Sequence, residues 1–174
     1  MTVYLVGFMG CGKSTVGRAL AERMQFDFID LDVAISEEMG MTINEIFARF
    51  GEPKFREVEG RLLKEIDTMQ DIVVATGGGA PCFGENMAVM NGRGTTVYLR
   101  LTCDGLFGRL KRGKARRPKL AALSEDELVT YIAELMQVRE PFYSQAAITV
   151  DCDGLMRDDV VELVAKSLED VNME

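Results

Sequence analysis

The stretch Gly7-Phe8-Met9-Gly10-Cys11-Gly12-Lys13-Ser14-Thr15 limits what this chain can fold into more sharply than any other. Its pattern, GxxxxGK[ST], works as a loop that leaves a β-strand and enters a helix. Both neighbours are present. Val3–Val6 is a short β-branched and apolar run, and Val16, Ala19, Leu20 and Met24 recur at helical spacing, which predicts a helix from Lys13 to about Met24. The glycines let the backbone curl so that successive N–H groups face phosphate oxygens, and the helix N-terminus adds its positive dipole. On this reading Gly10, Cys11, Gly12, Lys13, Ser14 and Thr15 cradle a nucleoside triphosphate, Lys13 neutralises the β- and γ-phosphates, and Ser14 ligates Mg²⁺. Cys11 is either a thiol activated by the helix N-terminus and Lys13 or a filler of a small-residue position. The motif identifies one bound end of a reaction and is silent on what receives a phosphate.

Beyond it, Phe26–Leu31 reads as a second strand, Ile72–Ala75 as a third, Thr95–Leu99 as a fourth and Ala147–Val150 as a fifth. Helical patterns cover Val33–Met39, Ile43–Phe50 and Pro53–Met69, with Gly40 and Gly51 as stops. Further helices are predicted over Glu85–Asn91 and Cys103–Lys111, around Leu128 to Met136, and through Val160, Val164 and Leu168. Short apolar strands alternating with helices predict one α/β domain over residues 1–174, with a parallel sheet covered on both faces. In such a domain ligands gather beyond the carboxyl ends of the strands.

No apolar run approaches the roughly 20 residues that span a bilayer, and the first residues lack a basic leader with a cleavage site, so no signal peptide is expected. Four scattered cysteines and no histidine argue against a zinc site or a disulfide framework and point to the cytoplasm. A net charge of −8 disfavours nucleic acid or an anionic membrane as partner. Against that average, Arg109 to Lys119 carries seven cations and no acid. Such a run is either a solvated basic loop or a device held against a small anion.

Four further features suggest an acceptor site, each with a plainer reading beside it. Asp30 and Asp32 close the second predicted strand, where two-residue spacing aims both carboxylates one way; alternatively one caps the helix that follows. Gly77-Gly78-Gly79 ends the third strand, either to admit a ligand close to the backbone or to make a tight turn. Arg56 and Arg139 are either anion clamps or surface arginines paired with neighbouring acids.

Taken in order, GFMGCGKSTVG, FIDLDVAI, GEPKFREVE, ATGGGA, RRP and REPFY span essentially the whole chain and resemble the shikimate kinase family. The resemblance implies a nucleoside-monophosphate-kinase-like P-loop fold, three-layer α/β/α, with a five-stranded parallel sheet. It implies a helical substrate-binding region near residues 32–61 and a mobile lid near 111–124. It implies transfer of the γ-phosphate of MgATP to the 3-hydroxyl of shikimate, with one Mg²⁺ per site, in a monomer. By motif, Asp32 would bind the shikimate hydroxyls and Asp30 would lie by the metal. Arg56 and Arg139 would clamp the carboxylate, helped by Gly77, Gly78 and Gly79. Arg117 would reach the phosphates from the lid, and Arg109 or Arg112 would lie by the adenine. Lys13, Asp32 and Arg117 would be the catalytic residues. One departure stands out: the family's lid reads RPLL, whereas this chain has Arg117-Pro118-Lys119-Leu120. Rivals of the same fold, such as a gluconate kinase or an antibiotic phosphotransferase, share the first motif. A nucleotide-driven switch protein is disfavoured by the absence of an NKxD-like motif.

Overall fold

The structure, a computed structural model, describes residues 1–172. Five strands form one parallel sheet in the order β2-β3-β1-β4-β5. They are β1 (Thr2–Val6), β2 (Asp27–Asp30), β3 (Ile72–Ala75), β4 (Thr95–Arg100) and β5 (Ile148–Asp151). Eight helices accompany them: α1 (Lys13–Met24), α2 (Leu31–Met39), α3 (Ile43–Glu65), α4 (Asn86–Arg93), α5 (Cys103–Gly113), α6 (Pro118–Ala121), α7 (Glu125–Tyr143) and α8 (Arg157–Asn172). The result is the three-layer α/β/α architecture expected from the sequence. Strands covered on both faces should be apolar throughout, and edge strands should alternate. The central β1 obeys the first rule, with Val3, Tyr4, Leu5 and Val6 all fully buried, while β5 alternates buried Ile148 and Val150 with exposed Thr149 and Asp151.

Element boundaries depart from expectation in two instructive places. Strand β2 ends at Asp30, not Leu31, because the Asp30 carboxylate caps α2 by accepting from the backbone N–H groups of Asp32 and Val33. Asp32 therefore lies in the first turn of a helix, and the extended-chain reason for a shared face with Asp30 does not hold. The two helices predicted over 43–69 abut at Gly51 (φ 78°, ψ 172°), a conformation suited to glycine, and the second ends at Glu65 instead of Met69. A capping box between Thr42 and Glu45 starts this pair, and another between Ser124 and Glu127 starts α7.

The topology positions the site. Strands β3 and β4 flank β1, so the loops leaving β1 and β3 open side by side at one edge, with the end of β2 next in line. The basic run follows α5 as a 3₁₀ turn (Lys114–Arg116) and then α6, pinned to the core by Leu120, which is almost wholly buried. Among the described residues no helix is long and apolar enough to cross a membrane.

Candidate active site

The loop after β1 is a cradle whose glycines are needed for their backbone angles. Gly7, Gly10 and Gly12 have φ of 144°, 80° and 102°, values that side-chain-bearing residues rarely adopt. Lys13 folds back along the loop, its Nζ donating to the carbonyls of Gly7 (2.7 Å) and Phe8 (2.9 Å). Cys11 lies beneath the loop, 2% exposed, with its Sγ 3.7 Å from Lys13 Nζ and its N–H donated to Phe8 O. A Cβ on Gly7 would come within 2.9 Å of that sulfur and of Leu99 O, so position 7 has no room for a side chain. Ser14 Oγ donates to Asp30 Oδ2 at 2.5 Å, which joins the start of α1 to the end of β2. A cavity of about 400 Å³ opens between this loop and Asp30, Asp32, Thr76, Gly78 and Arg117. Gly12, Thr15 and Gly10 line it as well.

A second cavity, of about 190 Å³, adjoins the first and shares Met9, Asp32 and Gly78 with it. Its walls carry Arg56, Glu59, Arg139 and Lys119, with Ile43, Phe47 and Phe55 forming an apolar side. The Gly77-Gly78-Gly79 turn is its floor, and here glycine is required for space. A Cβ on Gly77 would meet Asp32 Oδ1 at 2.9 Å and Glu59 Oε1 at 3.1 Å. On Gly78 it would meet Met9 N at 3.0 Å and Arg139 Nη1 at 3.4 Å, and on Gly79 it would strike Arg56 Nη2 at 2.5 Å. Each glycine thus seats one or two charged side chains from α2, α3 or α7. Tyr143 holds the turn from behind, its hydroxyl donating to Gly78 O at 2.5 Å.

Arg56 is fixed on several sides. Its Nη1 donates to Glu59 at 2.7 Å, its Nη2 to Glu52 at 3.2 Å, and its guanidinium lies 4.0 Å from the Phe83 ring centroid. The plainer reading of Arg56, as an arginine paired with nearby acids, holds at the same time as its place in the cavity wall. Arg139 is different: its Nη1 is buried without a hydrogen-bond partner, and so is Oε1 of the fully buried Glu59. Orphaned polar atoms of this kind are rare in folded proteins, and both residues line the smaller cavity, where a ligand or water can complete the bonding. Burial, reinforced by the charge of Asp30, pushes the Asp32 carboxyl above its usual range, while Lys13 and Arg56 pull it back. Burial likewise raises Glu59, against the pull of Arg56.

The basic segment divides by function of position. Arg117 lines the larger cavity, its guanidinium lying against Gly113 and 3.9 Å from where a Cβ on Gly10 would stand. Arg109 Nη1 donates to Cys11 O at 3.0 Å and so sits on the loop backbone. Arg112 bonds back to Gly108 O on its own helix and is exposed; it is not brought to either cavity. Met9, Glu59, Thr76 and Tyr143 are site residues that motif reading passed over. Glu59 had a signal, since Arg56 and Glu59 at i, i+3 on one helix face are neighbours; the others follow only from topology. For Mg²⁺, the Ser14 hydroxyl and Asp30 carboxylate make a small hard-oxygen donor pair. That suits an ion which takes one or two protein oxygens and fills its shell with water and phosphate.

A parallel five-stranded sheet with a phosphate cradle at its central strand and an arginine-rich second cavity beside it defines a P-loop small-molecule kinase. The chain belongs to the shikimate kinase family: that family's sequence model matches residues 9–169. A shikimate kinase of Parabacteroides distasonis is 43% identical over 166 residues, covering 95% of this chain and 96% of that one. The crystal structure of shikimate kinase from Bacteroides thetaiotaomicron superposes with a TM-score of 0.92 at 40% identity, covering 97% of this chain and 98% of its own. Shikimate kinase from Acinetobacter baumannii in complex with shikimate gives 0.88 at 33% identity, covering 99% and 95%.

Proposed function

We propose that this chain transfers the γ-phosphoryl group of ATP to the 3-hydroxyl of shikimate, giving shikimate 3-phosphate and ADP, in chorismate and aromatic amino acid biosynthesis. The observation that carries this reading is the junction of the two cavities at Met9, Asp32 and Gly78. A triphosphate lying in the cradle would point its terminal phosphate at an alcohol held over the glycine turn. Family membership supports the same acceptor.

The division of labour follows from chemistry. Arg139, with its unpartnered Nη1, and Arg56 receive the acceptor's carboxylate, for which paired guanidinium donors are well shaped. Asp32 accepts from the vicinal hydroxyls and takes the proton of the attacking oxygen as that oxygen bonds to the γ-phosphorus. The bond from phosphorus to the bridging oxygen breaks in the same displacement, and ADP leaves. Lys13 swings from the carbonyls of Gly7 and Phe8 onto the phosphates, and Arg117 adds positive charge to the transferring group. Ser14 and Asp30 would hold Mg²⁺, which neutralises phosphate charge when bound. Residues 32–61 act as the acceptor-binding region and 111–124 as a lid that excludes water. Arg109 flanks the nucleotide from α5. The enzyme is proposed to work as a cytoplasmic monomer without nucleic-acid or membrane partners; the net charge of −8 disfavours polyanionic partners.

The test is coupled detection of ADP release with shikimate, quinate, gluconate and nucleoside monophosphates as acceptors. Shikimate is expected to stand out. Lys13→Ala is expected to lose at least about 100-fold in turnover, the scale of one preorganised charge at a transition state; an unaltered kcat would remove the cradle from the mechanism.

A further inference from the structure

The departure at position 119 places a charge where the family pattern has an apolar side chain. Lys119 lines the smaller cavity together with Arg56, Arg139 and Asp32, although it belongs to the segment that covers the larger one. Its ammonium sits 4.9 Å from the centroid of the Phe47 ring on α3, a seat that joins residues 111–124 to the acceptor-binding region. Lys119 is exposed, and among the described residues no carboxylate forms an ion pair with it.

The charges around the cavity give this position its weight. Without Lys119 the wall holds two cations, Arg56 and Arg139, and two carboxylates, Asp32 and Glu59. Arg56 is already committed to Glu59 at 2.7 Å and Glu52 at 3.2 Å. An anionic acceptor approaching a protein of net charge −8 would then meet a wall of no net charge. Lys119 tips that balance to positive, and it does so from the covering segment.

We propose that Lys119 is a specificity-determining residue, a third cation that the covering segment supplies to the acceptor cavity and that strengthens binding of an anionic acceptor. The proposal rests on the kinase reading above. With the segment down, the ammonium adds attraction for the acceptor's carboxylate, and after transfer for the product's phosphate, while the Phe47 ring holds it in register. A leucine at the same place would supply contact area and no charge.

The experiment compares the native protein with Lys119→Met, which keeps length and loses charge, and Lys119→Arg, which keeps charge. Steady-state constants for shikimate and ATP are measured between low and high KCl. The Met variant should raise KM for shikimate about twofold to fivefold, the range for an exposed charge contact. KM for ATP should stay within about twofold, and the Arg variant, which keeps the charge and can stack on Phe47, should stay nearer the native value than Met does. The fall of kcat/KM for shikimate with salt should be shallower in the Met variant than in native protein. A Met variant with native KM and native salt slope overturns the proposal, as does an Arg variant as impaired as Met. Failure of the native protein to phosphorylate shikimate would instead overturn the kinase reading, and the two failures are separate observations.

Discussion

At position 32 a carboxylate is kept where burial and a neighbouring carboxylate both disfavour its charge. The consequences for activity and stability have opposite signs. Its folded-state pKa lies above the ordinary value of 3.8, so the stability gained from the protonated form is fully present below that value and is lost as pH rises through the folded pKa. At neutral pH the ionised group is therefore a burden on the fold. Asp32→Asn is expected to raise Tm at pH 7 by a few degrees, with the gain over native protein fading as pH falls toward 4. The same change should lower kcat by at least about 100-fold, the scale of a lost general base, with ATP binding retained. A variant that turns over normally would displace Asp32 from the acceptor site. In the native enzyme the acid limb of the rate profile should fall at a pH above the ordinary Asp value, because burial and the charge of Asp30 both raise the Asp32 carboxyl. Arg139→Ala should impair acceptor binding by at least about tenfold in KM, since its unpartnered Nη1 has no protein bond to lose.

Two glycines act in different ways at the level of elements. At Gly79 an added methyl would strike the guanidinium of Arg56 and push it from the buried Glu59 carboxylate. Gly79→Ala should raise KM for the acceptor about tenfold or more through the displaced guanidinium and lower Tm as well, because Glu59 loses its partner. At Gly94, between α4 and β4, the methyl would run into the backbone carbonyl of Thr2, which cannot move aside. Gly94→Ala should destabilise the fold by about 1–3 kcal/mol, read by denaturant melts, with KM values preserved. Reading from sequence succeeded where one local pattern settles one element: the cradle after β1, the glycine stop at Gly51, the alternation of strands and helices. It found Asp32 by a motif and for a mistaken geometric reason, because capping by Asp30 turned a strand end into a helix start. The helix start at Lys13 was legible, yet the present partners of its side chain, the preceding loop's carbonyls, carry no sequence signal. Thr76 and Tyr143 were passed over since their partners, Leu5 and Gly78, are distant in the sequence, and only the β2-β3-β1-β4-β5 order brings them together.

Across the whole molecule the charge is unevenly spread: −8 in total, with seven cations between Arg109 and Lys119. Lys111, Arg112, Arg116 and Lys119 are exposed, so trypsin should cut first in this segment if it opens as a lid. Nucleotide and shikimate together should slow that cleavage at least about fivefold; equal rates with and without ligands would argue for a fixed cover. The bare backbone at 77–79 has a further meaning for anyone wishing to retarget this enzyme. It works as a jig against which three helices are set to length, each with its own charged tool resting in a notch where a methyl would sit. Broader acceptor scope is therefore to be sought by re-aiming α2, α3 or α7, and a library confined to the notches should return only poorer versions of the starting catalyst.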